Sequence, residues 1–158
     1  MTLQHDKLRE IVMTPQLDAR IRAALASKKL SSTALDILHI LDASGYPRVG
    51  RSNATSIKEI QHTISISWGR CKSPSDRSIK MAVKELIEQH EIPIGSIRKV
   101  RGDAPHGYFF IISPADAEAA IGPLLSEIKS LARRIRILSP DSEYMRRLSG
   151  QIGLGEES

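Results

Sequence analysis

Ser75-Asp-Arg-Ser-Ile-Lys-Met-Ala-Val-Lys-Glu-Leu-Ile-Glu-Gln-His90, then Glu91-Ile-Pro-Ile-Gly95, a basic run to Asp103, and Gly107-Tyr-Phe-Phe-Ile-Ile112 form the stretch on which the fold turns. Its first part predicts a helix. Ser75 is a good N-cap, and Asp76 sits in the first turn, where a carboxylate suits the positive helix end. Ile79, Ala82, Val83, Leu86 and Ile87, with His90 next, repeat at the spacing of one buried helical face. The opposite face carries Arg77, Lys80, Met81, Lys84 and Glu88, so its first half is basic. Pro93 forbids continuation, because the residue before a proline is pushed out of helical geometry. Two short apolar runs then flank a loop holding Arg98, Lys99, Arg101, Gly102 and Asp103, which reads as a hairpin with a cationic tip. Ile94, Ile97 and Val100 do not share a strand parity, which calls for a bulge or a strand end near Ile97. Alternation puts Tyr108 and Phe110 on one side of the second strand and Phe109 on the other.

Outward from this centre the chain predicts further helices. Thr14-Pro15 reads as N-cap and first helical residue, with Leu17, Ile21, Ala24 and Leu25 following to about Ser27. A second helix starts at Ser31-Ser-Thr33, with Thr33 and Asp36 spaced as a capping box. Ala34, Leu35, Ile37, Leu38, Ile40 and Leu41 make it apolar nearly all round, and Gly45 is expected to close it. Ser56 and Glu59 form another capping-box pair ahead of Ile57, Ile60 and Ile64. The connection Ile64 to Pro74 is longer than the 3–4 residues of a simple helix-turn-helix. Ser65 to Trp68 reads as a strand or extended loop, and Arg70 and Lys72 lie near its tip.

Beyond the hairpin, Ser113-Pro114 opens a helix with Asp116 in its first turn. Gly122-Pro123 predicts a kink, or a stop and restart, since an internal proline costs about 3 kcal/mol. Ile121, Leu124, Ile128, Leu131, Ile135 and Leu138 alternate by three and four. Isoleucine at one heptad position and leucine at the other suit a two-stranded parallel coiled coil, hence a homodimer. Leu125 and Ala132 widen the stripe, so a helix packed on its own domain would carry the same pattern. A last short helix is expected from Ser139-Pro140 with Tyr144, Met145 and Leu148, and a disordered tail from Gly150.

A core-anchored helix with a basic outer face, followed by a basic-tipped hairpin, resembles the winged-helix DNA-binding superfamily. The run Leu86-Ile-Glu-Gln-His-Glu-Ile-Pro-Ile-Gly95 and the later Gly107-Tyr-Phe-Phe are similar to small bacterial and phage-type members, over roughly residues 31–113. The resemblance implies an α+β, mostly helical fold: a three-helix core with an antiparallel β-hairpin wing over residues 31–113. An N-terminal arm and helix (1–30), a helical extension (114–150) and a tail (151–158) flank it. It further implies a non-catalytic, sequence-specific double-stranded DNA-binding protein, a transcriptional regulator or a phage or mobile-element replication factor. On that reading Arg77, Ser78, Lys80, Met81 and Lys84 face base edges and phosphates in the major groove. Arg98, Lys99 and Arg101, with His106 nearby, follow the backbone, and Arg70 and Lys72 touch phosphates from the long connection. The alternative is a winged helix used as a protein–protein interaction module, for which Glu85, Glu88 and Glu91 dilute the positive face.

The totals are compatible with this. The chain has 158 residues, a formal net charge of +5 at pH 7 and a pI near 9.6, which favours an anionic partner. One cysteine, Cys71, forbids an intrachain disulfide and fits a reducing, cytoplasmic setting, where it reads as an inert loop thiol. No apolar run reaches the roughly 18 residues of a membrane span, and Met1 to Thr14 lacks the apolar centre of a signal peptide. Six aromatic side chains are too few for recognition of single strands by stacking. No Gly-rich phosphate loop or nucleophile motif is present. The five histidines show no metal-ligand spacing, so no enzyme activity, metal or cofactor is expected.

Overall fold

A computed structural model describes residues 15–43, 47–69, 72–139, 143 and 146–147. In chain order the elements are α1 (Pro15–Ser27), α2 (Ser32–Leu41), a 3₁₀ turn (Arg51–Asn53) and α3 (Ile57–His62), which runs on as a π-helical turn (Thr63–Ser67). Then come α4 (Asp76–His90), β1 (Ile94–Ile97), β2 (Gly107–Phe110) and α5 (Pro114–Leu138). The architecture is mostly helical with a two-stranded antiparallel hairpin, and so α+β. The chain divides into two compact units between Ala119 and Ala120.

The core of the first unit is built by the faces that the sequence periodicity selects. Leu17, Ile21 and Ala24 of α1, Ala34, Ile37, Leu38 and Leu41 of α2, Ile60 and Ile64, and Ile79, Ala82, Val83 and Leu86 of α4 form one buried cluster with Phe110. Each fully buried aliphatic side chain of this kind contributes about 1.5–3 kcal/mol. Ile87 does not join them. It stands 41 % exposed at the edge of the α4 stripe. His90, the stripe's last member, is half-buried, and its Nε2 has no hydrogen-bond partner among the described residues.

Helix ends show where local reading succeeds and fails. Ser75 caps α4, accepting the Ser78 N–H at 3.1 Å. Glu91 closes α4 in a left-handed conformation, and the Ile92 N–H returns to the Leu86 carbonyl, so the helix ends at His90, three residues before Pro93. At α2 the cap is Ser31 rather than Thr33, accepting the Ala34 N–H at 3.2 Å, and Asp36 is buried within the helix instead of closing a box. That helix also ends at Leu41, ahead of Gly45, which lies outside the described residues along with Thr14. The capping box of α3 is present in both directions: Glu59 N–H to Ser56 Oγ at 3.2 Å, and Ser56 N–H to Glu59 Oε2 at 2.6 Å.

Residues 65–67 form no strand. They complete the π turn that prolongs α3, and the Ser65 hydroxyl bonds back to the Gln61 carbonyl at 2.7 Å. The connection to α4 is accordingly shorter than the sequence suggests, running from Trp68 to Ser75.

β1 and β2 pair in plain register, Ile94 with Phe110 through Ile97 with Gly107, and β1 stops at Ile97. A strand end, with no bulge, accounts for the broken parity. The outer edge of β2 is not free. Its backbone bonds to Arg48 and Gly50 through Phe110, and to Thr55 in both directions through Tyr108. Phe109 and Phe110 are both fully buried although they point to opposite faces, and Tyr108 packs half-buried against the core.

Asp116 in the first turn of α5 is buried and accepts the backbone N–H groups of Arg51 at 3.2 Å and Ile112 at 3.4 Å. Its own N–H donates to Ser113 Oγ at 3.2 Å. Of the kink or stop expected at Gly122-Pro123, the stop does not occur: α5 continues through Pro123 to Leu138, with the unit boundary one turn before Pro123. In the second unit the six heptad positions are exposed, while Ala132 beside them is buried. The predicted last helix, with Tyr144, Met145 and Leu148, and the tail fall outside the described residues. Among the described residues no helix is long and apolar enough to cross a membrane.

Candidate nucleic-acid interface

The exposed side of α4 follows from its buried side. With Ile79, Ala82, Val83 and Leu86 committed to the core, the 100° step of the helix turns Arg77, Lys80, Met81 and Lys84 outward, with Ser78 on the flank. All five are exposed, Met81 at 58 %. Lys84 approaches Glu88 at 3.9 Å, a surface pair of little energetic weight.

Glu85 has a different task from diluting this face. Its carboxylate accepts the Ser31 N–H at 2.8 Å and the Ser31 hydroxyl at 2.7 Å, so it is held at the N-terminal end of α2, where backbone dipoles favour an anion. Glu91 lies beyond the last turn of α4, and its carbonyl accepts from Arg20 at 2.9 Å. The first half of α4 thus keeps its cationic side.

The start of α4 is fixed from α3. Gln61 Nε2 donates to the Pro74 carbonyl at 3.0 Å and to Asp76 Oδ1 at 2.9 Å. A cleft of about 470 Å³ opens there, lined by Lys58 and Gln61 of α3, Asp76 of α4, and Lys99, His106 and Tyr108 of the hairpin. This places the base of the hairpin loop beside the first turn of α4. Burial, then the charge of Asp76, holds the Tyr108 phenol above the ordinary tyrosine range.

Of the residues singled out in the sequence, Lys99 and His106 line the cleft; Arg77, Ser78, Lys80, Met81 and Lys84 do not, and Arg98 and Arg101 stand exposed on the same loop and Lys72 on the connection before α4. Arg70 and Cys71 lie outside the described residues. Lys58 and Gln61 were missed. Their capping-box helix is readable, but its approach to the hairpin is a tertiary fact with no local signature. Among the described residues no group of three or more His, Cys, Asp or Glu side chains could hold a metal ion.

Glu59 ties this corner together. Burial pushes its carboxyl up, but the Ser56 N–H and hydroxyl, the Thr55 hydroxyl and the charge of Arg48 outweigh it and leave the group below its ordinary value of 4.5. A carboxyl depressed by folding stabilises the fold above its unfolded pKa, and that contribution is lost as pH falls through the folded value. Glu59→Gln keeps an acceptor for Ser56 but cannot titrate. Between about pH 5 and 3 the variant should lose less stability than the parent in denaturant melts, and parallel acid limbs would refute the assignment.

Comparison with known proteins adds no relative: no family model, curated protein or solved structure matches the chain.

Proposed function

We propose that the chain is a sequence-specific double-stranded DNA-binding protein of winged-helix type, acting without catalysis in the cytoplasm as a transcriptional regulator or a phage or mobile-element replication factor. In this reading α2, α3 and α4 are the three-helix core and β1–β2 is the wing. The observation that carries it is the shared cleft. Asp76 in the first turn of α4 lines it together with Lys99 and the base of the hairpin loop, while Arg77, Lys80 and Lys84 stand exposed on α4 and Arg98 and Arg101 on the loop, outside that lining. An α-helix about 10–12 Å across fits the major groove. Arg77, in the first turn, is placed to fork onto a guanine edge, worth about 1–3 kcal/mol of discrimination, and Met81 offers an apolar contact to a thymine methyl. Lys80, Lys84 and the loop cations meet phosphates, and Lys58 extends that set from α3.

Phosphate neutralisation releases counterions, so binding must weaken steeply with salt. With about six phosphate contacts, affinity for duplex DNA should fall roughly 10³-fold between 50 and 200 mM salt. Fluorescence anisotropy with a labelled random duplex measures this, and selection from a random oligonucleotide pool should return a defined motif. Absence of any salt-sensitive binding rejects the proposal. Salt-sensitive binding with no enriched motif rejects its sequence-specific part.

A further inference from the structure

The second unit leaves a long apolar seam uncovered. Ile121, Leu124, Ile128, Leu131, Ile135 and Leu138 lie along one line of α5, and their exposure runs from 38 % at Ile135 to 83 % at Leu138. The line spans 18 residues, about 27 Å of helix. Isoleucine at heptad position a and leucine at d suit two strands, and the sequence pattern alone points to a parallel pair. Orientation is decided by the residues flanking the seam.

Those flanks are unequal. The g side carries Glu127 and Arg134, both exposed. The e side carries Leu125 and Ala132, and Ala132 is already buried at 5 % exposure. A parallel pair sets g against e′ at both edges of the interface. Glu127 would then face the partner's Ala132, and Arg134 would face the partner's Ser139. No charges pair at either edge. An antiparallel pair sets g against g′ at one edge and confines e to the other. Glu127 then meets the partner's Arg134, and two-fold symmetry makes the contact twice.

The same antiparallel register also closes the seam. It places Ile121 against the partner's Leu138, Leu124 against the partner's Ile135, and Ile128 against the partner's Leu131. Every layer then joins one isoleucine to one leucine, and no seam residue is left over. Apolar layers and ion pairs therefore select one alignment independently.

We propose that two copies of the chain associate through α5 as an antiparallel two-stranded coiled coil, held in register by Glu127 of each copy paired with Arg134 of the other. The partner is a second copy of this chain, and the inference stands apart from the DNA-binding reading.

The test uses the full chain with Glu127→Arg, Arg134→Glu and the double exchange, each followed by light scattering over a concentration series. The parent should dimerise. Each single reversal turns both contacts repulsive and should weaken the dimer about tenfold, and the double exchange should restore it. Orientation is read in a Cys71→Ser background from Ile128→Cys and Leu131→Cys. When the two variants are mixed, the antiparallel pair gives the mixed disulfide, because positions 128 and 131′ share a layer. A parent that stays monomeric at every concentration overturns the proposal. So does a double exchange that fails to recover, or Ile128→Cys cross-linking efficiently to itself.

Discussion

Gly107→Ala should destabilise the protein by about 3–5 kcal/mol, the upper range for a single substitution. Gly107 opens β2 with φ of +109°, a conformation that L side chains rarely adopt. A Cβ there would overlap the Thr55 carbonyl oxygen and carbon and come within 2.7 Å of the Ser56 Cα. All three atoms are backbone, so no rotamer change relieves the clash. The two hydrogen bonds joining Thr55 and Tyr108 would have to part instead, and with them the edge that anchors the hairpin to the start of α3. Gly102 is the internal control. Its φ is +98°, but a Cβ would meet nothing within 4 Å, so Gly102→Ala should show only backbone strain of about 1–2 kcal/mol. Urea melts of the two variants separate the contributions. A Gly107→Ala midpoint no lower than that of Gly102→Ala would mean that the hairpin base is not packed on Thr55.

Such close approaches mark where the sequence stops being readable. The α1 range, the Ser75 cap and the Ser56–Glu59 box follow from residues within four positions of one another, and each is legible because the physics is equally local. At α2 the cap is Ser31, whose N–H and hydroxyl also donate to Glu85, 54 residues away, and the spacing of Thr33 and Asp36 points to the wrong box. Alternation assigns Phe109 and Phe110 to opposite sides of β2, but that both sides are covered, so that both rings are buried, is a tertiary fact. The pairing of β2 with residues 48–55 involves single bridges too short to leave a strand pattern. The hairpin's broken parity is visible in the sequence, and of its two readings the strand end at Ile97 is the one that the pairing bears out. For the candidate site, the cationic side chains of α4 and the loop can be named from periodicity and charge. The cleft that brings Lys99 together with Lys58, Gln61, Asp76 and Tyr108 cannot, since it depends on how α3 crosses the start of α4.

Arg77→Glu combined with Lys80→Glu should reduce duplex DNA affinity by about 10²–10³-fold near 0.1 M salt. The change removes one guanine-reading group and one phosphate-neutralising group and places two anions against the groove. Both side chains are exposed and none of the described hydrogen bonds depends on them, so thermal stability should stay within about 0.5 kcal/mol of the parent. The salt dependence should flatten as well, by about one unit of log–log slope for each phosphate no longer neutralised. Net charge falls from +5 to +1 in the double variant, because each reversal changes it by two. A general loss of attraction must therefore be separated from the loss of a face. Lys129→Glu with Arg136→Glu makes the same net change on α5, at exposed positions off the heptad seam. If α4 is the reading element, this control should keep most of the affinity and most of the salt slope. Equal losses in the two double variants would reduce the interaction to bulk charge, and α4 would then be only a core helix with a solvated outer side. A large fall in stability for the Arg77 and Lys80 variant would point the same way, since it would assign those side chains to folding.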